Sequence, residues 1–208
     1  GNRVIIDDIK LKDKQDSLMV HASRLAAKVE LLPLAQGKIS ISNAQMFGTH
    51  AYLYQKSPDD KPNFQFLIDT FSSNDTTSKP LDLRVGNILL RRVSVHWDRQ
   101  WMPHETQGRL DPNHLRLTDI TMTAHLRALK NDSLNFTLKR FSFKEQSRFA
   151  IDNIGFSAVM GRNRAKVDKL LVALPHSTIS VPSFTASSRT LFRLEETTKN
   201  AVIEMGMD

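Results

Sequence analysis

The chain contains no cysteine, which excludes disulfide bridges, thiolate nucleophiles and cysteine-ligated zinc or iron–sulfur sites. It has no run of about 18 apolar residues, the length that a membrane-spanning helix needs. Glycine and proline are sparse, with 8 of each in 208 residues, so a collagen-like or low-complexity chain is excluded. These absences leave a folded, water-soluble segment without cysteine chemistry.

The composition fits an ordinary folded domain. Hydrophobic residues make up 40% and charged residues 25% of the chain, and the length allows one or two domains. Lysine and arginine (29) outnumber aspartate and glutamate (22) and give a net charge of +7, which permits attraction to anionic membranes, acidic glycans or nucleic acid. The sequence opens with Gly1 and no signal-peptide core, so we expect a piece of a longer protein.

One local pattern recurs seven times: apolar, any, apolar, two polar or small residues, apolar, any, apolar. Its central pairs are Asp7–Asp8, Ser42–Asn43, Gly86–Asn87, Thr118–Asp119, Lys139–Arg140, Asp152–Asn153 and Asp168–Lys169. Alternation keeps apolar side chains on one face of a strand, and the inserted residue would turn the later ones away. A β-bulge restores the original face, so the pattern predicts bulged strands.

Hairpin turns are the alternative explanation for these pairs. Gly86–Asn87 and Asp152–Asn153 suit a two-residue turn, because such turns need positive φ angles. Lys139–Arg140 and Asp168–Lys169 suit it poorly, which favours bulges across the set.

The fold class that follows is mainly β, an elongated and strongly curved antiparallel sheet of about ten strands with one apolar and one polar face. Helical signal is scarce. We expect a strand to Glu30, a short helix over residues 31–36 ended by Gly37, and at most two short helices. Loops are predicted at 56–63, 72–80 and 99–113. Periodicity alone favours a β-sandwich, whose two sheets would cover each other's apolar faces.

The first quarter of the chain carries a more specific series of elements. Val4-x-Ile6-x-x-Ile9-x-Leu11 is followed by the charged turn 13–16, Leu18 to Ala22, Leu25, Val29, the block Leu31-Leu32-Pro33-Leu34 with Gly37, Ile39 and Ile41, and the strand Ala51 to Tyr54. This series resembles the AsmA/TamB family of bacterial envelope proteins. Residues 132–147 are similar to the TamB-like proteins of the Bacteroidetes.

The resemblance implies a taco-like, half-open groove lined by apolar side chains, formed by a single domain over residues 1–186. Residues 187–208 would start a further repeat or form a flexible end. The resemblance also implies a non-enzymatic periplasmic segment of a protein anchored in the inner membrane, with a role in outer-membrane biogenesis. The implied partners are phospholipid acyl chains moving between membranes, or an outer-membrane barrel protein that assists protein assembly.

The residues expected to line the groove are apolar positions of the repeated pattern. They are Ile39, Ile41, Leu83, Val85, Leu117, Ile120, Phe136, Leu138, Ile151, Ile154 and Phe156. Burial of an acyl chain against such side chains is worth about 0.8 kcal/mol per methylene. The alternative function is a closed structural or adhesive β-domain that binds partners through its basic surface.

Other chemistry is weakly indicated. Six metal-ligand-type residues (His96, Asp98, His104, Glu105, Asp111 and His114) fall within 19 residues, but their spacing fits no ligand pattern, so we expect a solvated loop without metal. The sequence lacks phosphate-binding loops, nucleophile elbows and H-E-x-x-H motifs, so we expect no catalytic site and no cofactor. Basic residues without interleaved aromatics argue against nucleic-acid binding.

Three tripeptides fit a glycosylation signal. Asp16-Ser17-Leu18, Asp75-Thr76-Thr77 and Asp132-Ser133-Leu134 are similar to the short motif that Bacteroidetes O-glycosylate on exported proteins. Ser17, Thr76 and Ser133 are therefore candidate acceptors.

Overall fold

The computed structural model describes residues 2–72, 82–130, 133–187 and 204–207. Its strands are β1 (Asn2–Lys12), β2 (Leu18–Glu30), β3 (Ile39–Gln55), β4 (Asp82–Arg99), β5 (His114–Lys130), β6 (Ser133–Glu145), β7 (Ala150–Ile151), β8 (Asn153–Met160), β9 (Arg164–Ala173), β10 (Ser177–Ser187) and β11 (Glu204–Met207). Two short helices, α1 (Leu31–Ala35) and α2 (Gln65–Ser72), join them. The mainly β prediction with at most two short helices is confirmed for the described part of the chain.

All eleven strands belong to one sheet. Its order is β1-β2-β3-β4-β5-β6-β8-β9-β10-β11, with β7 also paired to β6. The order ends at β1 on one side and β11 on the other, so the sheet is open. β11 lies within the segment 187–208, and most of the remainder of that segment lies outside the described residues.

One strand pair departs from the antiparallel prediction, because β3 and β4 run parallel from Ile39↔Leu83 to Gln55↔Arg99. A parallel pair needs a crossover that returns the chain to the same end of the sheet, and the connection between β3 and β4, which contains α2, provides it. Much of the predicted loop 72–80 lies outside the described residues. Neither helix of the described part is long and apolar enough to cross a membrane.

Helix α1 forms where the sequence predicted it. Its proline stands in the first turn, where a missing N–H is tolerated, and Gly37 follows with a φ of +76°. Leu31, Leu32 and Leu34 of this helix are exposed, Leu32 at 74%. The helix therefore displays an apolar surface at the end of the sheet where β3 begins.

Bulges occur at five of the seven predicted pairs. The strand register shifts at Ser42–Asn43 against β2, at Gly86–Asn87 and Lys139–Arg140 against β5, at Thr118–Asp119 against β4, and at Asp168–Lys169 against β8. Asp119 and Lys169 have φ angles of +51° and +55°. The hairpin alternative is wrong at these five pairs, since the strand continues through each of them.

The prediction of a two-against-one bulge is wrong at Asp7–Asp8 and Asp152–Asn153. Asp7 and Ile9 pair with Arg24 and Ala22, so β1 and β2 advance equally there. Asp152 lies between β7 and β8. Both of these strands pair with β6, and from one pairing to the next the two sides advance by the same number of residues. In both places the two strands advance by equal numbers of residues, so neither strand holds an extra residue.

A row of kinks, marked by residues with positive φ, crosses β1, β3 and β4. Asp8 (φ +56°) lies opposite Ser23, Ser23 opposite Gly48 (φ +61°), and Gly48 opposite Arg92 (φ +54°). Residues three apart on β3, such as Met46 and Thr49, pair with residues three apart on the next strand. The alternation of side chains between the two faces therefore shifts at the same level in this whole group of strands.

Gly48 is the position of this row that can be tested most directly. We expect Gly48→Ala to lower the free energy of unfolding by about 1–2 kcal/mol, because a left-handed backbone is costly for an L-residue. The added Cβ would also lie 2.7 Å from Ser23 Oγ. Gly161→Ala is the control, since its Cβ would meet nothing closer than 3.9 Å. Urea unfolding measures both, and equal midpoints would contradict the strain at Gly48.

Asp13 anchors the turn between β1 and β2. Its Oδ1 accepts the backbone N–H groups of Gln15 (2.9 Å) and Ser17 (3.0 Å), and its Oδ2 accepts the Tyr54 hydroxyl (3.0 Å) and the Asn63 amide (3.4 Å). Burial opposes the charged form, but these hydrogen bonds outweigh it and hold the pKa of Asp13 below its ordinary value. The carboxylate thereby ties the turn to the end of β3 and to the crossover.

We expect Asp13→Asn to lower the free energy of unfolding by about 1–3 kcal/mol at neutral pH, because the amide loses acceptors for these donors. A depressed pKa in the folded state means that the stabilisation is present above the ordinary value of 3.8. It is lost as the pH falls through the lower folded value. Unfolding at several pH values should show the difference from the parent shrinking in acid. Asp16→Asn on the same exposed turn is the control, and a pH-independent difference would contradict the assignment.

Candidate functional site on the apolar face of the sheet

Apolar side chains form continuous rows across the strands, because directly paired residues of neighbouring strands share a face. One row runs Val29, Ile41, Val85, Leu126, Phe136, Ala158, Val167 and Phe184. A second row runs Val4, Ala27, Ala44, Ile88, Ala124, Leu138 and Phe156. We call the surface that carries these rows the apolar face.

The register places all eleven residues of the predicted lining on the apolar face. Ile39 pairs with Leu83, Ile41 with Val85, and Leu138 with Phe156. The remaining positions follow from pairing or from spacing along a strand. Leu117 pairs with Val95, Ile120 with Val93, Ile151 with Phe143 and Ile154 with Val172. The recurrent pattern thus identified side chains that share one surface.

Exposure of this face changes across the sheet. Val85, Ile120, Leu138 and Ile151 are buried, Ile120 at 3% exposure. Ile41, Leu83, Leu117, Phe136, Ile154 and Phe156 are half-buried. Val4, Ile6 and Leu11 of β1, with Ile39, are exposed. The apolar face is therefore accessible at its β1 side and closely packed over the central strands.

The crossover covers a small part of the apolar face. Phe64 lies against Trp97, with ring centroids 6.0 Å apart. Trp97 pairs with Leu53 and lies on the same face of β4 as Val93 and Val95, as the alternation predicted. Near the same end of the sheet, Phe66 and Asp69 of α2 line a small cavity with Asp13 and Tyr54.

Cations gather at the kinks, away from the apolar face. Arg91, Arg92, Lys139, Arg140 and Lys169 are exposed at these positions. None of the five forms an ion pair with a carboxylate of the described residues. The kinks and bulges of the sheet thus carry exposed positive charge, alongside exposed carboxylates such as Asp8 and Asp119.

The structure brings together residues that spacing rules had set aside. His104 and Asp111 of the loop between β4 and β5 converge with His114, the first residue of β5. His114 is 4% exposed, and its ring stacks on that of His104 with centroids 3.7 Å apart. The expectation of a wholly solvated loop is therefore wrong for His114 and Asp111. His96 lies apart, with its ring against Tyr52.

The candidate glycosylation acceptors differ in their surroundings. Ser17 is exposed in the β1–β2 turn, and Ser133 is the half-buried first residue of β6. Thr76 lies outside the described residues. Modification of all three stays a prediction.

No family model matches this chain, and no curated protein matches it.

The apolar face can be probed with a matched pair of substitutions on β1. Ile5 and Ile6 are 46% and 47% exposed and point to opposite faces, and only Ile6 belongs to the apolar face. We expect Ile6→Arg to weaken binding of a fluorescent fatty acid about fivefold, the loss of roughly 1 kcal/mol of acyl-chain contact. Ile5→Arg should bind like the parent. Equal effects of the two substitutions in a fluorescence titration would contradict a ligand-binding apolar face.

Proposed function

We propose that this chain is a non-enzymatic segment of a TamB/AsmA-like envelope protein that shields lipid acyl chains on its apolar face. The observation that carries the proposal is the unbroken apolar row across eight strands from β2 to β10. At about 4.8 Å per strand such a row is roughly 34 Å long. An acyl chain laid along it would contact apolar side chains over its whole length.

Curvature of the sheet into a taco-like groove is part of this proposal. The central apolar side chains are buried although the described strands form one sheet and not two. Strong coiling, which bulges promote, would make the side chains of one face cover one another. An elongated, half-open form accounts for this burial.

In the cell, this segment would lie in the periplasm, tethered to the inner membrane through a part of the protein that precedes it. Its exposed β1 side, with the leucines of α1 nearby, would admit an acyl chain, and the rows would carry it across the strands. Phospholipid transport between the two membranes is the role that this arrangement fits best. Assistance to outer-membrane protein assembly, with a barrel partner, would use the same face for nascent strands.

A second candidate function rests on the exposed cations at the kinks. Arg91, Arg92, Lys139, Arg140 and Lys169 would attract an anionic partner to the polar face, as a structural or adhesive domain requires. The closed sandwich that accompanied this alternative receives no support, since the described strands form one open sheet. Binding of this kind would weaken steeply with added salt, whereas acyl-chain binding would not.

Photo-crosslinking in the full-length protein tests the proposal. A photoreactive residue at Ile154 or Leu117 faces the apolar rows, whereas one at Val159 of β8 faces the opposite surface and is 52% exposed. After irradiation of living cells, mass spectrometry should find phospholipid attached at Ile154 and Leu117 and not at Val159. Capture of outer-membrane protein at the first two positions would support the assembly role instead. Lipid adducts that are absent, or equal at all three positions, would overturn the proposal.

A further inference from the structure

The loop between β4 and β5, together with the first residue of β5, holds three side chains of the types that bind transition metals. His104, Asp111 and His114 each offer one ligand atom, and these atoms all lie within 4.8 Å of one another. Ligand atoms around a tetrahedral zinc ion, each about 2.0–2.1 Å from the metal, are roughly 3.3 Å apart. The exposed His104 ring, which stacks on that of His114, would have to turn as well as move inward to reach this distance. No hydrogen bond to another described residue restrains it.

His114 is oriented as a metal-binding imidazole usually is. Its Nδ1 lies 2.9 Å from Asp98 Oδ1, and the Asp98 carboxylate also accepts a hydrogen bond from Arg116. A carboxylate behind the imidazole fixes the ring and directs the other nitrogen toward a metal. That nitrogen, Nε2, faces into the loop and lies 2.8 Å from the Met102 carbonyl oxygen. The position of His114 is therefore set by its neighbours before any ion binds.

Asp111 is fixed as firmly. It is 7% exposed, and its two oxygens accept the backbone N–H groups of Glu105 and Asn113, both at 3.0 Å. Each carboxylate oxygen has a further lone pair that remains available to a cation. Hydrogen-bonded carboxylates of this kind are typical of metal ligands.

We propose that His104, Asp111 and His114 form a zinc-binding site that fastens the loop over residues 100–113 to the start of β5. Two imidazole nitrogens and one carboxylate oxygen suit zinc, whereas calcium and magnesium prefer oxygen ligands alone. The Met102 carbonyl oxygen or a water molecule would complete four-fold coordination. The role is structural and is independent of what the apolar face binds.

Proton competition sets the conditions for a test. Both ring nitrogens of His114 are hydrogen-bonded to oxygen atoms, Nδ1 to Asp98 and Nε2 to the Met102 carbonyl. Zinc at Nε2 must displace the proton held there, and one proton is released to solvent for each ion bound. Binding should therefore be measured at mildly alkaline pH.

Titration of untagged protein with zinc chloride in a calorimeter tests the site. The parent should bind one equivalent, and His104→Ala should weaken binding at least about tenfold. His104 is exposed, so the variant should keep its fold, which circular dichroism verifies. His176→Ala removes another exposed histidine outside the cluster and should bind like the parent.

X-ray absorption at the zinc edge gives a second readout, in which two imidazole ligands should appear for the parent and one for His104→Ala. The proposal is overturned if the parent shows no binding below about 100 µM zinc. It is also overturned if His104→Ala binds as tightly as the parent, because the ion would then lie elsewhere.

Discussion

The structure depends on one constraint: the apolar side chains of many long strands must stay on the same face although their spacing changes along each strand. Where two neighbouring strands advance equally through a kink, as at Asp8 opposite Ser23, the pairing continues without a gap. Where they do not, as at Thr118–Asp119 on β5, one residue is left over and a bulge forms. Both solutions keep the rows intact. The kinks, and the left-handed residues that make them, are therefore a condition for the continuous apolar face.

Much of this could be read from the sequence, because alternation and its interruptions are local properties. The short helix before Gly37, the end of β2 at Glu30 and five of the bulges appear where the pattern predicted them. The parallel pairing of β3 and β4 could not be predicted in this way, since a half-buried strand shows the same alternation whichever direction its neighbour runs. Equally, no local pattern tells whether a bulge on one strand meets a kink on the next. That depends on the register between strands distant in sequence.

The two candidate sites differ in the same way, since one follows from local patterns in the sequence and the other does not. Membership of the apolar face follows from local alternation, so all eleven predicted residues were placed together. Their accessibility does not, because it depends on which strand ends up at the edge: Ile6 is exposed on β1, whereas Ile120 is buried on β5. His104, Asp111 and His114 were missed because ligand-spacing rules assume a helix, a strand or a tight turn. Here a fourteen-residue loop (residues 100–113) folds back on itself, and the hydrogen bonds of Asp111 and His114 help to fix its course.

The parallel junction between β3 and β4 has a consequence for how the chain folds. Nearly all other strand pairs join segments adjacent in sequence, whereas Ile39 and Leu83 meet across 44 positions. Because closing a long loop delays contact formation, β1–β3 and β4–β10 should each assemble as a meander of hairpins before they join. The seam is then the slowest step of folding. It is also the natural point at which this sheet could have grown by fusion of two smaller meanders.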